Sequence, residues 1–195
     1  MTGWTLIALI PVLLAPQPAA VRQRGEPPLH QATIEEHPGR LLPLDLVFHD
    51  HRGRPFRLDD AFSGDRPVLL ILADYDCRML CSLVLREAAR APRDAQLDLA
   101  AGHRALTLSI DPRDRPEDAR EARARTLHVL GAPEAAEIWP FLVGDEPAIR
   151  AVAGALGFGY AYDPASDQYA HPAVIFAITP EGRISSYIYG ATFTA

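Results

Sequence analysis

The chain has 195 residues, 48% of them hydrophobic and 23% charged, with a formal net charge of −6. This length and composition suit one globular domain that buries a sizeable core without disulfide staples. The acidic balance and the lack of a basic stripe exclude a nucleic-acid partner.

Trp4 to Ala15 reads WTLIALIPVLLA, an apolar run shorter than a bilayer-spanning helix and interrupted by Pro11. Small residues follow at Ala15, Ala19 and Ala20, as at a secretory cleavage site, although the opening Met-Thr-Gly carries no Lys or Arg. Residues 1–20 therefore read as a signal peptide or N-terminal anchor. That predicts an extracytoplasmic protein, periplasmic or membrane-associated, with its N-terminus near the membrane. In an oxidising compartment an unprotected dithiol closes to a disulfide. Residues 21–40 are rich in Pro, Gln, Glu and Arg with no apolar period, and read as a flexible linker. The folded domain is expected over 41–195.

Leu44 to Phe48 and Pro55 to Leu58, joined by a polar turn over Asp50–Gly53, predict a β-hairpin, and Asp59 and Asp60 start a short helical turn. Pro67 to Ala73 is a continuous apolar run, the pattern of a strand buried on both faces. Met79 to Arg93 carries Leu80, Val84, Leu85 and Ala88 at helical spacing. Ala105 to Ile110 predicts a second buried strand. Arg115 to Leu130 predicts a charged amphipathic helix ending at Gly131. Trp139 to Val143 reads as a short strand, and Glu146 to Leu156 as a helix closed by Gly157. Strands over Ala173–Ile178 and Arg183–Tyr189 flank the turn Thr179-Pro-Glu-Gly182. Strands alternating with helices and finished by a hairpin predict an α/β fold: a thioredoxin-like sandwich, its central mixed sheet flanked by helices, with an N-terminal β-hairpin.

Cys77 and Cys81 are the two cysteines of the chain. Cys77 falls just past the first buried strand and Cys81 one turn into the expected helix, the edge where α/β sheets gather ligands and reactive groups. A helix N-terminus lowers thiol pKa. Two sulfurs four residues apart share a helix face, where they can converge on one soft cation or close a disulfide.

The segment Leu-Ala-Asp-Tyr-Asp-Cys77-Arg-Met-Leu-Cys81 resembles the CxxxC segment of the Sco/SenC family of copper metallochaperones, most of all its branch reading YDCPMLC. Leu108-Ser-Ile-Asp-Pro112 resembles the family's S-x-D-P strand end. His171, followed by Ile175 to Arg183, resembles its histidine loop and terminal hairpin. The resemblance implies that Cys77, Cys81 and His171 are copper ligands, and that copper, Cu(I) or Cu(II), goes to a recipient copper protein, a respiratory oxidase subunit. It also implies a thiol reductant as partner. Arg78 and Ser82 replace the prolines of the common family motif, and Ala170 replaces the Asp usual before the histidine. Thiolates favour Cu(I), and one added imidazole lets such a site hold Cu(II) as well. Thiol–disulfide exchange is the alternative, with Cys77 attacking and Cys81 resolving. Three intervening residues and a placed imidazole favour metal.

Pro172 sits where thioredoxin-like folds often have a cis-proline, so a cis bond holding His171 toward the cysteines is expected. His49 and His51, at a hairpin turn, read as a solvated pair rather than a second metal site. Asp74 and Asp76 read as helix-entry residues, Asp111 and Asp114 as turn and cap residues.

Overall fold

Val68–Ala73 (β3) and Arg104–Ser109 (β4) are the largely apolar runs, and in the computed structural model they pair in parallel, Val68 against Arg104 through Ala73 against Ser109. The structure describes residues 31–76, 85, 103–130 and 139–189. Cys77, Cys81 and the helix expected over 79–93 lie outside the described residues, save Leu85, which is helical and buried.

The remaining elements are β1 (Val47–Asp50), β2 (Pro55–Arg57), a 3-10 turn (Leu58–Phe62), α1 (Pro116–Leu130), β5 (Phe141–Val143) and α2 (Glu146–Ala155). After them come β6 (Ala161–Asp163), β7 (Gln168–Ala170), β8 (Val174–Ile178) and β9 (Ile184–Tyr189). Among the described residues seven strands form one mixed sheet in the order β2-β1-β5-β4-β3-β8-β9. Strands β3, β4 and β5 are parallel, whereas β1, β2, β8 and β9 each pair antiparallel.

Alternation along the central strands divides the core in two, because successive side chains point to opposite faces. Val68, Leu70, Leu72, Leu106, Leu108, Val174, Phe176 and Ile178 face α2, meeting Ile149, Val152 and Leu156. Ile71, Ala73, Ala105 and Ile175 face α1, meeting Ala119 and Ala122 together with Trp139 and Phe141. A side chain such as Leu70 or Phe176, wholly removed from water, contributes about 1.5–3 kcal/mol.

The helix starts follow local chemistry. In α1, Pro116 occupies the first position, where its missing N–H costs nothing, and the Asp118 carboxylate accepts from Arg115 N–H (2.8 Å). In α2, the Asp145 side chain accepts from Ala148 N–H (2.9 Å), as an N-cap should.

Two features differ from the sequence expectation. Residues 31–40, read as linker, run as a strap across the domain in backbone hydrogen bonds. Glu35 N–H donates to Gly157 O (2.9 Å), Gly159 N–H to Thr33 O (2.8 Å), and Gly39 N–H to Ile184 O (2.7 Å). These bonds need no apolar period, so the segment's composition conceals them. The second is the β6–β7 hairpin, which the sequence reading omitted. Its signal was present: Tyr160, Tyr162 and Tyr169 at alternating places around Asp163-Pro164, a turn-initiating dipeptide.

Candidate functional site

Strand β3 leads the chain toward Cys77 through Asp74, Tyr75 and Asp76. Asp74 is buried, and its Oδ1 accepts from Asp76 N–H (3.0 Å), a local turn just after the strand. Tyr75 is fixed on every side. Its hydroxyl donates between the carbonyls of Leu142 (2.9 Å) and Thr107 (3.3 Å), and its ring lies 5.7 Å from that of Phe141. Its N–H donates to Asp114 Oδ2 (3.4 Å) and its carbonyl accepts from Arg125 Nη2 (3.0 Å). The backbone two residues before Cys77 is therefore rigidly set. Both cysteines lie outside the described residues.

His171 follows β7 and precedes β8. Strands β3 and β8 pair antiparallel with Ile71 opposite Ile175. The pairing runs up to Ile71 and Ile175, so the residues that follow β3 and those that precede β8 leave the sheet at the same edge. The sheet thus brings His171 to the edge from which the chain runs to Cys77. The imidazole is 8% exposed, packs 5.9 Å from the Phe158 ring, and its Nδ1 lies 3.0 Å from Pro172 O. Nδ1 acts as donor there, so Nε2 carries the basic lone pair in the neutral ring, as a metal-binding imidazole requires. The expected cis bond at Pro172 is corrected: among the described residues no peptide bond is cis. The bond to the Pro172 carbonyl and the Phe158 contact orient the ring without it.

Beside this edge lies a crevice of about 360 Å³, into which Asp74, Asp76, Asp111 and Asp114 bring carboxylates from the loops after β3 and β4. Asp114 is not the cap that the sequence suggested. Ser109 Oγ donates to its Oδ2 at 2.5 Å, beside the bond from Tyr75 N–H. Burial, then the charges of Asp111 and Asp74, push its pKa up to about 7 against these hydrogen bonds. Asp111 does serve the turn, accepting from Arg113 N–H (2.8 Å).

His49 and His51 do not form the solvated pair expected. His49 is exposed on β1, but His51 is 8% exposed. Asp50 causes the difference: it accepts from the N–H groups of Arg52 and Arg54 and from the Arg54 guanidinium. That tight turn leaves His51 against α1, where its carbonyl accepts from Arg120 Nε (3.3 Å). Among the described residues no three His, Cys, Asp or Glu side chains are grouped to hold a metal ion.

A mixed sheet with helices on both faces, and a site at the C-terminal edge of its parallel strands, define a thioredoxin-like α/β domain. The SCO1/SenC family profile matches residues 42–194, and the chain belongs to that family. Solved structures agree in fold. A protein from Aquifex aeolicus VF5 is 23% identical over 81% of this chain and 88% of its own, with a TM-score of 0.66. Bradyrhizobium japonicum ScoI, solved with copper bound, is 21% identical over 80% and 91%, with a TM-score of 0.60. BsSco, a member of the Sco family of cytochrome c oxidase assembly proteins in which a disulfide switch was identified, is 17% identical over 78% and 85%, with a TM-score of 0.54. No curated protein matches the chain.

Proposed function

We propose that this protein is a copper-binding metallochaperone in which Cys77, Cys81 and His171 hold copper as cargo. The observation that carries the reading is the buried His171, oriented through Nδ1 at the sheet edge from which the chain runs on through Tyr75 toward Cys77. Two thiolates suit Cu(I), and the imidazole extends the site to Cu(II). Family membership and the copper-bound state of a relative support this choice of cargo. The recipient is a copper protein, a respiratory oxidase subunit, in line with the assembly role named for BsSco. A thiol reductant keeps the dithiol open. The domain, its strap over 31–40 included, works outside the cytoplasm, with residues 1–20 as signal or anchor; among the described residues no helix is long and apolar enough to cross a membrane.

The experiment is titration of the reduced protein against a Cu(I) chelator. Wild type is expected to hold copper tightly, and the Cys77→Ser, Cys81→Ser double variant weakly. Equal, weak competition by both discards the reading. His171→Ala is expected to keep Cu(I) and lose the Cu(II) absorption.

A second reading, thiol–disulfide exchange by Cys77 and Cys81, is favoured by one observation. Asp114, a half-buried carboxyl that accepts from Tyr75 N–H two residues ahead of Cys77, has its pKa pushed up to about 7 by desolvation, a range in which a carboxyl exchanges protons. Reduction of a disulfide substrate that depends on both cysteines, with no metal bound, would select it.

A further inference from the structure

We propose that Arg113 is a positioning residue: it clamps the turn of the β6–β7 hairpin to the loop after β4 and thereby fixes where His171 stands. The inference rests on the reading of His171 as third copper ligand. His171 directly follows β7, so a displacement of the hairpin that reaches the end of β7 is passed on to the imidazole.

The hairpin is held at two places. Its root is packed by aromatic rings, Tyr160 at 5.8 Å from Tyr169 and at 6.0 Å from Phe158. Its turn reaches the rest of the fold through Arg113. On one side, Arg113 Nε and Nη2 donate to the Asp111 carboxylate at 2.9 and 2.7 Å, and Asp111 is 4% exposed. On the other, Arg113 Nη1 donates to Asp167 Oδ1 at 3.0 Å. Its guanidinium carbon also lies 4.9 Å from the centre of the Tyr162 ring. Asp167 in turn accepts from the Tyr162 hydroxyl at 2.5 Å.

A planar fork that spans two carboxylates and an aromatic face is work for arginine; a lysine ammonium is a point charge. Asp111 anchors the clamp to β4, whose neighbour β3 leads to Cys77. The clamp therefore sets the histidine arm against the sheet edge that carries the dithiol arm. Asp167 adopts a left-handed backbone (φ 54°) at the turn, which Asn also tolerates.

The test uses the full chain with Arg113→Ala, Arg113→Lys and Asp167→Asn. In the metal-free protein, Arg113→Ala is expected to speed amide exchange over residues 161–170 and to broaden or shift the His171 imidazole nitrogen signals. With copper, Cu(II) affinity is expected to fall about tenfold, with a weakened imidazole nitrogen hyperfine signal, while Cu(I) affinity stays within about threefold. Arg113→Lys should recover part of both losses. Asp167→Asn, at a side chain 73% exposed, should act in the same direction and reports even if Arg113→Ala does not fold. Unchanged exchange and imidazole signals in Arg113→Ala and Asp167→Asn overturn the proposal, as does an equal loss of Cu(I) and Cu(II) affinity. If wild type binds no copper, the proposed function fails on its own, and the metal-free signals alone decide the clamp.

Discussion

His51 is buried, and among the described residues neither of its ring nitrogens has a hydrogen-bond partner. Burial, and then the charge of Arg123, lowers its pKa to about 4, so it is neutral throughout the physiological range. An unsatisfied buried polar group costs about 1–3 kcal/mol, and apolar replacement of similar volume removes that cost. His51→Leu is therefore expected to raise stability by about 1 kcal/mol, read as a higher urea midpoint with unchanged slope. Tyr75 is the opposite case. Tyr75→Phe leaves two buried carbonyls short of a donor and should cost about 1–2 kcal/mol. It should also speed exchange of the amides around Asp74–Asp76. Neither outcome was legible in the sequence, where His51 looked like half of a surface pair and Tyr75 like part of a motif. Burial is set by what packs above a residue, and α1, which covers both, is far from them along the chain.

At the scale of elements, local signals were enough for β1 to β5, β8, β9 and the two described helices. Continuous apolar runs marked β3 and β4, charged amphipathic spacing marked α1, and Gly157 marked the end of α2. The reason for Gly157 was only partly local. Its φ is +63°, and a Cβ there would collide with the carbonyl oxygen of Glu35, because the strap lies against it. Gly157→Ala combines left-handed strain of about 1–2 kcal/mol with loss of the strap contact. Stability should fall by at least that amount, and the Glu35 amide, bonded to Gly157 O, should exchange faster than in wild type. A variant in which Glu35 stays protected would mean that the strap holds without this contact. The β6–β7 hairpin went unread because its strands are three residues each, below the length at which alternation is a firm signal.

For the whole molecule, the buried His51 and the half-buried Asp114 act on pH stability with opposite signs. His51 titrates near 6.5 when unfolded and near 4 when folded, so its contribution is present above pH 6.5 and is lost as pH falls toward 4. Asp114 titrates near 3.8 unfolded and near 7 folded, so the folded state holds the extra proton. Its contribution is present below pH 3.8 and is lost as pH rises toward 7. The two windows overlap between pH 4 and 6.5, where the slopes offset and the wild-type profile is expected to be nearly flat. His51→Leu should unmask a stability that falls with rising pH in this window, and Asp114→Asn one that rises, each by up to about 1.4 kcal/mol per pH unit. Urea midpoints measured at half-unit steps check both. Parallel profiles for the two variants would contradict the assignment.

The amino-acid sequence by itself determined most of the strands, the two described helices, and the resemblance that membership of the SCO1/SenC family bears out. These are carried by short-range patterns: apolar period, capping residues, motif spacing. Only the tertiary structure decided the strand order that brings the segment before β8 to the edge where β3 ends, the strap over Gly157, the burial of His51, the hydrogen bonds of Asp114, and the ion pairs by which Arg113 joins Asp111 to Asp167. Each depends on contacts between residues far apart in the chain, whose register is set by packing across the sheet and leaves no trace in local composition.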